Sequence, residues 1–278
     1  MNFALEDTKL SKGHQRIADY IAKNPENIPF MVEEDLAQAC GVSTSTVSRF
    51  WGEIGYRNLR EFKQQAKEEW LLSPSIKLQS AFGKLEEAGT AASGVLQLTE
   101  YLQKTAERLD QAAFEQAVTV LHEASTIYLY GPGSAVCLTA LMEFRLSRFG
   151  ANVKTFSRGG HELLNTLIHV GPSDVIVIFG FVSQSPEMKA LLEYAADCGC
   201  KTLLVTDLAV NDMLDQADIL LYTERGELWE FHSMTAPIAL IETLVVAVGK
   251  MQEHSALENG EKLHELRRKF KHLLPKRV

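Results

Sequence analysis

The rhythm of apolar positions changes near residue 125. Before that point apolar residues recur every three or four positions with almost no β-branched runs, the pattern of amphipathic helices. After it, short apolar runs alternate with amphipathic segments: Thr126–Tyr130, Val153–Phe156, Val175–Phe181, Thr202–Val205 and Ile219–Leu221. Runs this short and this uniformly apolar suit strands buried on both faces of a parallel sheet. Their alternation with helices predicts a doubly wound α/β body with a parallel five-stranded sheet. In the intervening stretch, Leu98, Leu102 and Leu109 share one helical face, and Phe114, Val118 and Leu121 share another. Ser73–Ser75, around Pro74, reads as a hinge. The expected organisation is a helical head at 1–72, a helical connector at 73–124, the α/β body at 125–260 and a basic tail at 261–278.

Within the head, the segment from Glu33 to Trp51 is the most informative. A first helix turns Leu36, Ala37 and Cys40 inward, and Gly41 supplies the positive φ that a sharp interhelical turn demands. Ser43 is placed to cap the next helix. That helix is expected to bury Val47, Phe50 and Ile54. Its opposite face carries Thr44, Ser45, Ser48, Arg49 and Gly52. Short hydroxyl side chains and an arginine are poor core material but reach phosphates and base edges in a major groove. Ala37, small where the two helices cross, allows a steep close approach. This is the logic of a helix-turn-helix. The contact set read from it is Ser43, Thr44, Ser45, Thr46, Ser48 and Arg49, joined by Arg57 and Asn58 downstream.

Composition narrows the picture. The chain has 278 residues, 46% of them apolar and 23% charged, with a formal net charge of -8. That balance argues against a protein that coats nucleic acid with its whole surface. From Ser43 to Lys67, however, five basic residues (Arg49, Arg57, Arg60, Lys63, Lys67) face only Glu53 and Glu61. No apolar run reaches 18 residues and the acidic start does not read as a secretory signal, so no membrane partner is expected. Four cysteines are too few for a disulfide scaffold and fit a reduced cytoplasm. Cys198 and Cys200, with no further Cys or His cluster at matching spacing, read as small buried residues at a helix–strand junction, so neither metal nor cofactor is expected.

Three boxes in the head carry a family resemblance. Leu10-Ser11, Ile17-Ala18, Tyr20-Ile21 and Asn24-Pro25 form the first, and Leu36-Ala37, Gly41-Val42-Ser43, Ser45-Thr46-Val47 and Arg49-Phe50 the second. Gly55-Tyr56, Leu59 and Glu61-Phe62-Lys63 complete the set. Together they resemble the RpiR family of bacterial transcription regulators, in which such a head is joined to a C-terminal sugar isomerase (SIS) domain. The resemblance implies a flavodoxin-like α/β SIS body, and the apolar pattern indicates a doubly wound α/β body independently.

In the body, the first strand runs into Gly131-Pro132-Gly133-Ser134, a turn that opens a helix and exposes backbone N–H groups at a strand's carboxyl end. It is not a dinucleotide fingerprint, because Val136 stands where a third glycine would fall. By resemblance this turn is half of a sugar-phosphate pocket, with Ser134 touching the ligand. The other half departs from the family, which usually has Ser-x-Ser-Gly-x-Thr after the third strand. Here Gly180 and Val182 occupy the serine positions, Ser183 the glycine and Ser185 the threonine. A second polar box near the last helix likewise appears as Ser233-Met234-Thr235-Ala236-Pro237. The pocket is expected to persist, with Gly131, Gly133, Ser134, Ser183, Gln184 and Ser185, and to hold something other than an ordinary sugar phosphate. His161 after Gly159-Gly160, and Glu230 and His232 before the long helix, are added as candidate ligand contacts.

The function expected is a ligand-responsive DNA-binding regulator without catalytic residues. It would act as a homodimer or homotetramer on double-stranded DNA with a palindromic operator, controlled by a small-molecule effector. The rival is a sugar-phosphate isomerase on the SIS fold, with Glu162, Glu230 or His232 as base. A purely scaffolding role explains neither the Ser/Thr/Arg face nor the glycine-rich turn.

Overall fold

The computed structural model describes residues 10–24, 28, 31–63, 74–208, 214–226 and 230–274. Pro25, Lys67, Ser73 and tail residues 275–278 lie outside that set. The chain forms two compact units: Met1–Glu87 with Glu227–Phe231, and Ala88–Gly226 with His232–Val278.

The N-terminal unit is helical. Helix α1 (Lys12–Lys23) is capped by Ser11, whose hydroxyl accepts from the His14 amide. Helix α2 (Glu33–Cys40) begins where Asp35 accepts from the Val32 N–H at 2.9 Å. It ends at Gly41, in the left-handed region at φ 61°. Ser43 then caps α3 (Thr44–Glu53) by accepting from the Thr46 amide. Residues 59–63 are again helical, and α4 (Pro74–Ala88) starts at the proline of the expected hinge. Ile17, Ile21, Leu36, Ala37, Cys40, Val47, Phe50, Trp51, Leu59 and Phe62 form one core. Trp51 lies fully buried, its ring 4.8 Å from that of Phe62. Ile54, expected inside, is the residue at which α3 ends and is only half-buried.

The second unit opens with α5 (Ala91–Arg108) and α6 (Gln111–Glu123), capped by Thr90 and Asp110. The body then runs β1 (Ile127–Tyr130), α7 (Val136–Leu146), β2 (Val153–Thr155), a short α8 (Leu164–Leu167) and β3 (Val175–Phe179). It continues through α9 (Pro186–Cys198), β4 (Lys201–Thr206), β5 (Ile219–Tyr222), α10 (Thr235–Met251) and α11 (Glu253–Lys269). All five strands are parallel in the order β2-β1-β3-β4-β5.

Alternation along each strand feeds two cores. Ile127, Leu129, Val175, Val177, Phe179, Leu203 and Val205 pack on one face with Phe114, Val118 and Leu121 of α6 and Leu244 and Val248 of α10. Tyr128, Tyr130, Ile176, Ile178 and Leu204 face the other way, onto Leu167, Met188, Leu191 and Leu192. Each such aliphatic side chain contributes roughly 1.5–3 kcal/mol. Helix α6 therefore belongs to the packed body. No single described helix is long and apolar enough to cross a membrane.

Candidate functional sites

The α2–α3 pair sets one site. Because Val47, Phe50 and Trp51 anchor α3 to the core, the helix holds Thr44, Ser45, Ser48 and Arg49 exposed. The hydroxyls at its start form a chain, with Ser43 Oγ 2.9 Å from Ser45 Oγ and 2.8 Å from Thr46 Oγ1. Arg49 donates from Nε to the Ser45 carbonyl at 3.1 Å, which fixes the guanidinium along its own helix. Ser48 is committed differently, donating to Glu33 Oε2 at 2.5 Å. Asn58 accepts from the Glu61 amide at 2.9 Å and so caps the next helical stretch. Arg57 has its side chain 90% exposed, with Nε 4.0 Å from Glu61. The structure thus gathers Ser43, Thr44, Ser45 and Thr46 on one helix start, with Arg49 one turn further along, while Ser48 and Asn58 have structural bonds of their own.

The second site lies at the carboxyl ends of the strands. In the 2-1-3-4-5 order the direction of winding reverses between β1 and β3, the position at which ligands bind in open α/β sheets. After β1, a Cβ on residue 131 would come within 2.9 Å of the Ala135 carbonyl oxygen, so glycine is required for the turn to close. Gly133, at φ 58°, begins a single 3-10 turn, Gly133–Ala135, that feeds α7 and leaves Ser134 exposed.

After β3 the chain makes a turn that its sequence does not announce. Val182 is the one non-glycine residue at positive φ (69°) among those described. The Ser183 N–H donates to the Phe181 carbonyl at 2.8 Å, closing a γ-turn around Val182. A β-branched residue in that region is strained. The strain is held by Asp207, just past β4, which accepts from the Val182 amide at 3.2 Å. The other Asp207 oxygen faces Arg225 Nη1 at 3.2 Å, with the two side chains only 7% and 4% exposed. Arg225 also donates from Nε to the Ser233 carbonyl, and its guanidinium sits 4.1 Å from the centroid of the Phe181 ring. Burial pushes the Arg225 pKa down, opposed by the Asp207 carboxylate.

Further along this loop, Ser183 is exposed and Ser185 caps α9 by accepting from the Met188 amide at 3.2 Å. The Tyr130 hydroxyl lies 3.5 Å from Ser185 Oγ, linking the ends of β1 and α9. Gln184 Nε2 is buried without a hydrogen-bond partner. Gly160 donates to Glu187 in the first turn of α9 at 3.2 Å, which brings the segment holding His161 to this edge with that ring exposed. The Gly160 amide and the backbone amide of Glu187 itself hold the Glu187 carboxyl below its usual range. Glu230 is placed elsewhere, in the N-terminal unit and paired with Lys84 at 2.7 Å. His232 is half-buried in the second unit.

Cys200 is buried and Cys198 half-buried at the junction of α9 and β4. Burial pushes the Cys200 thiol up to about 12, and no group of three or more potential ligands forms among the described residues. Asp207 and Arg225 escaped sequence reasoning because they lie 18 residues apart and outside any periodic pattern. Their one local signal is position, each following the end of a strand.

A helix-turn-helix unit on a chain with a doubly wound α/β body is the architecture of a transcription regulator with a sensory domain. The chain matches the rpiR-family helix-turn-helix domain over residues 4–71 and the SIS domain over residues 120–247. It is 27% identical over 212 residues to an uncharacterized HTH-type transcriptional regulator from the aarA 3' region of Providencia stuartii, covering 74% of this chain and 73% of that one. The sugar isomerase domain of an RpiR transcription factor from Sphaerobacter thermophilus has the same fold, with a TM-score of 0.57 and 22% identity, covering 60% of this chain and 93% of that one. The Vibrio vulnificus NanR protein, solved in complex with ManNAc-6P, aligns with a TM-score of 0.56 and 19% identity over 96% of both chains. The chain belongs to the RpiR family: it is a helix-turn-helix transcription regulator with a SIS domain.

Proposed function

We infer that this regulator acts in the cytoplasm as a homodimer or homotetramer, reading a palindromic operator through paired copies of α3. The observation that carries this reading is the division of α3 into two faces. Val47, Phe50 and Trp51 are wholly buried, while Thr44 and Ser45 stand in solvent at the helix start and Arg49 in solvent one turn further on. That is the end a recognition helix presents to base edges. Arg57 follows on the same basic stretch. The head is assigned to residues 1–72 and the sensory body to 125–260, with α5 and α6 of the expected connector in the same compact unit as that body.

The effector site is assigned to the β1/β3 strand ends, with Gly131, Gly133, Ser134, Ser183, Gln184 and Ser185 as contacts and His161 at its edge. NanR is a relative in fold that holds ManNAc-6P. The ligand class proposed here is a sugar phosphate or a related polar ligand, gripped differently from the family pattern because Gly180 and Val182 stand at the two serine positions. The unpartnered Gln184 amide supports a ligand that offers an oxygen acceptor. The reading of the body as a sensor is supported by the placement of Glu230 in the N-terminal unit, paired with Lys84, away from the strand ends.

Two variants test this division of labour. Arg49→Ala weakens operator binding and leaves effector binding intact. Ser134→Tyr fills the effector site and abolishes the effector's influence on DNA while operator affinity stays. Effectors for this test come from a thermal-shift screen of sugar phosphates and sugar acids. Unchanged DNA affinity in Arg49→Ala contradicts the assignment of α3, and turnover of fructose 6-phosphate or ribose 5-phosphate at enzymatic rates contradicts the sensory one.

A further inference from the structure

Beside the recognition helix, the head contains a cleft of about 480 Å³ between the start of α1, the α2–α3 turn and α3. We propose that this cleft seats a phosphodiester of the operator backbone, and that Arg16, on α1, is its principal contact. The proposal rests on the reading of α3 as a recognition helix, since strand phosphates flank any helix lying in a major groove.

Charge is the first argument. Arg16 and Arg49 both line the cleft, one from each helix. Its single carboxylate, Glu53, is already engaged by His14 Nδ1 at 2.6 Å. The balance left to a visitor is positive. An arginine fork suits phosphate oxygens, because it can donate two parallel hydrogen bonds.

Backbone geometry is the second argument. Helix α1 has no acidic residue in its first turn, and its Ser11 cap takes up only the His14 amide. The amides of Lys12 and Gly13 are among those a helix start leaves without an intrahelical acceptor. Gly13 lines the cleft, and a Cβ there would stand 3.2 Å from Thr46 Cγ2. The start of α1 is therefore pressed against α3, and its free donors stand beside the recognition helix. At the turn, Arg16 Nη1 lies 3.6 Å from where a Cβ on Gly41 would be. The guanidinium thus lies over the turn that joins α2 to α3. Glycine at 41 serves the left-handed turn and leaves that place clear.

A cleft of this size is wider than one oxyanion needs, which fits a passing sugar-phosphate strand. The same donors could instead hold a free phosphate ion, and the experiment separates the two. Full-length wild type, Arg16→Ala, Arg16→Lys and Arg49→Ala are titrated over a range of salt against two labelled duplexes. One duplex carries the sequence enriched from genomic DNA and the other is a scrambled version of equal length. Arg16→Ala is expected to lose roughly tenfold in affinity at low salt, equally on both duplexes, with a salt slope shallower by about one. Arg16→Lys recovers most of the loss, and Arg49→Ala loses more on the enriched duplex than on the scrambled one. If Arg16→Ala binds both duplexes like wild type while Arg49→Ala loses its preference for the enriched duplex, the assignment of Arg16 fails and the reading of α3 stands. If wild type itself does not distinguish the duplexes, the reading of α3 fails and the proposal falls with it. Stabilisation of the DNA-free protein by inorganic phosphate that vanishes in Arg16→Ala, with DNA affinity unaltered, gives the cleft to a free anion and also overturns the proposal.

Discussion

Asp207 and Arg225 are an ion pair shut away from water at the ends of β4 and β5, and they hold Val182 in a conformation it would not adopt alone. Removing one partner leaves the other charge buried and uncompensated, a loss of about 3–5 kcal/mol. Asp207→Asn is therefore expected to lower the denaturant midpoint of the second unit markedly; a midpoint equal to wild type contradicts the clamp. A second residue-scale expectation concerns the thiols. With its pKa pushed up to about 12 by burial, Cys200 has almost no thiolate at pH 8 and stays unmodified by a thiol reagent until the protein unfolds. Cys137, exposed in the first turn of α7, reacts in the native state. Peptide mapping after brief labelling distinguishes them, and early modification of Cys200 is the contrary result. The serine-to-valine departure at 182 was legible in the sequence. Its structural meaning was not, because a γ-turn held by a carboxylate 25 residues away has no local signature.

At the scale of elements, the five strands were legible because parallel strands buried on both faces leave uninterrupted apolar runs. Helix α3 was legible in the turn before it, where Gly41 ends α2 and Ser43 caps α3, positions for which the backbone geometry allows few residues. Its buried face was read less well. Counting from Val47 by three and seven selects Phe50 and Ile54, but a helical face also includes the position four along, and Trp51 fills it. Between β4 and β5, Asp218 makes a junction testable by pH. Burial acts to raise its pKa, but Lys201 Nζ at 2.7 Å and the amide and hydroxyl of Thr202, each at 2.9 Å, together hold the carboxyl below its usual value. A depressed folded-state pKa means stability that is complete above the ordinary aspartate value of about 4 and is lost as pH falls through the lower native value. The stability difference between wild type and Asp218→Asn should thus be full at neutral pH and close as the pH drops below about 4. A difference that is flat across that range contradicts the assignment.

The molecule as a whole carries a net charge of -8, yet its family and its head are those of a DNA reader. The two facts are compatible because affinity for a duplex depends on charge where phosphates lie, not on the sum over the chain. The change of apolar rhythm near residue 125 marks the start of the strands at Ile127, whereas the two compact units divide earlier, between Glu87 and Ala88, because α5 and α6 belong with the sheet. The partners that make the sites work were not legible in the sequence, since Arg16, Asp207 and Arg225 acquire their neighbours only through tertiary packing. The central claim, sequence-specific reading of DNA by α3, is tested most directly by letting the purified full-length protein select from fragmented genomic DNA and repeating the selection at raised salt. The account predicts enrichment of one short two-fold-symmetric sequence that persists as salt is raised. Enrichment without a shared sequence, or binding lost altogether in salt, would contradict it.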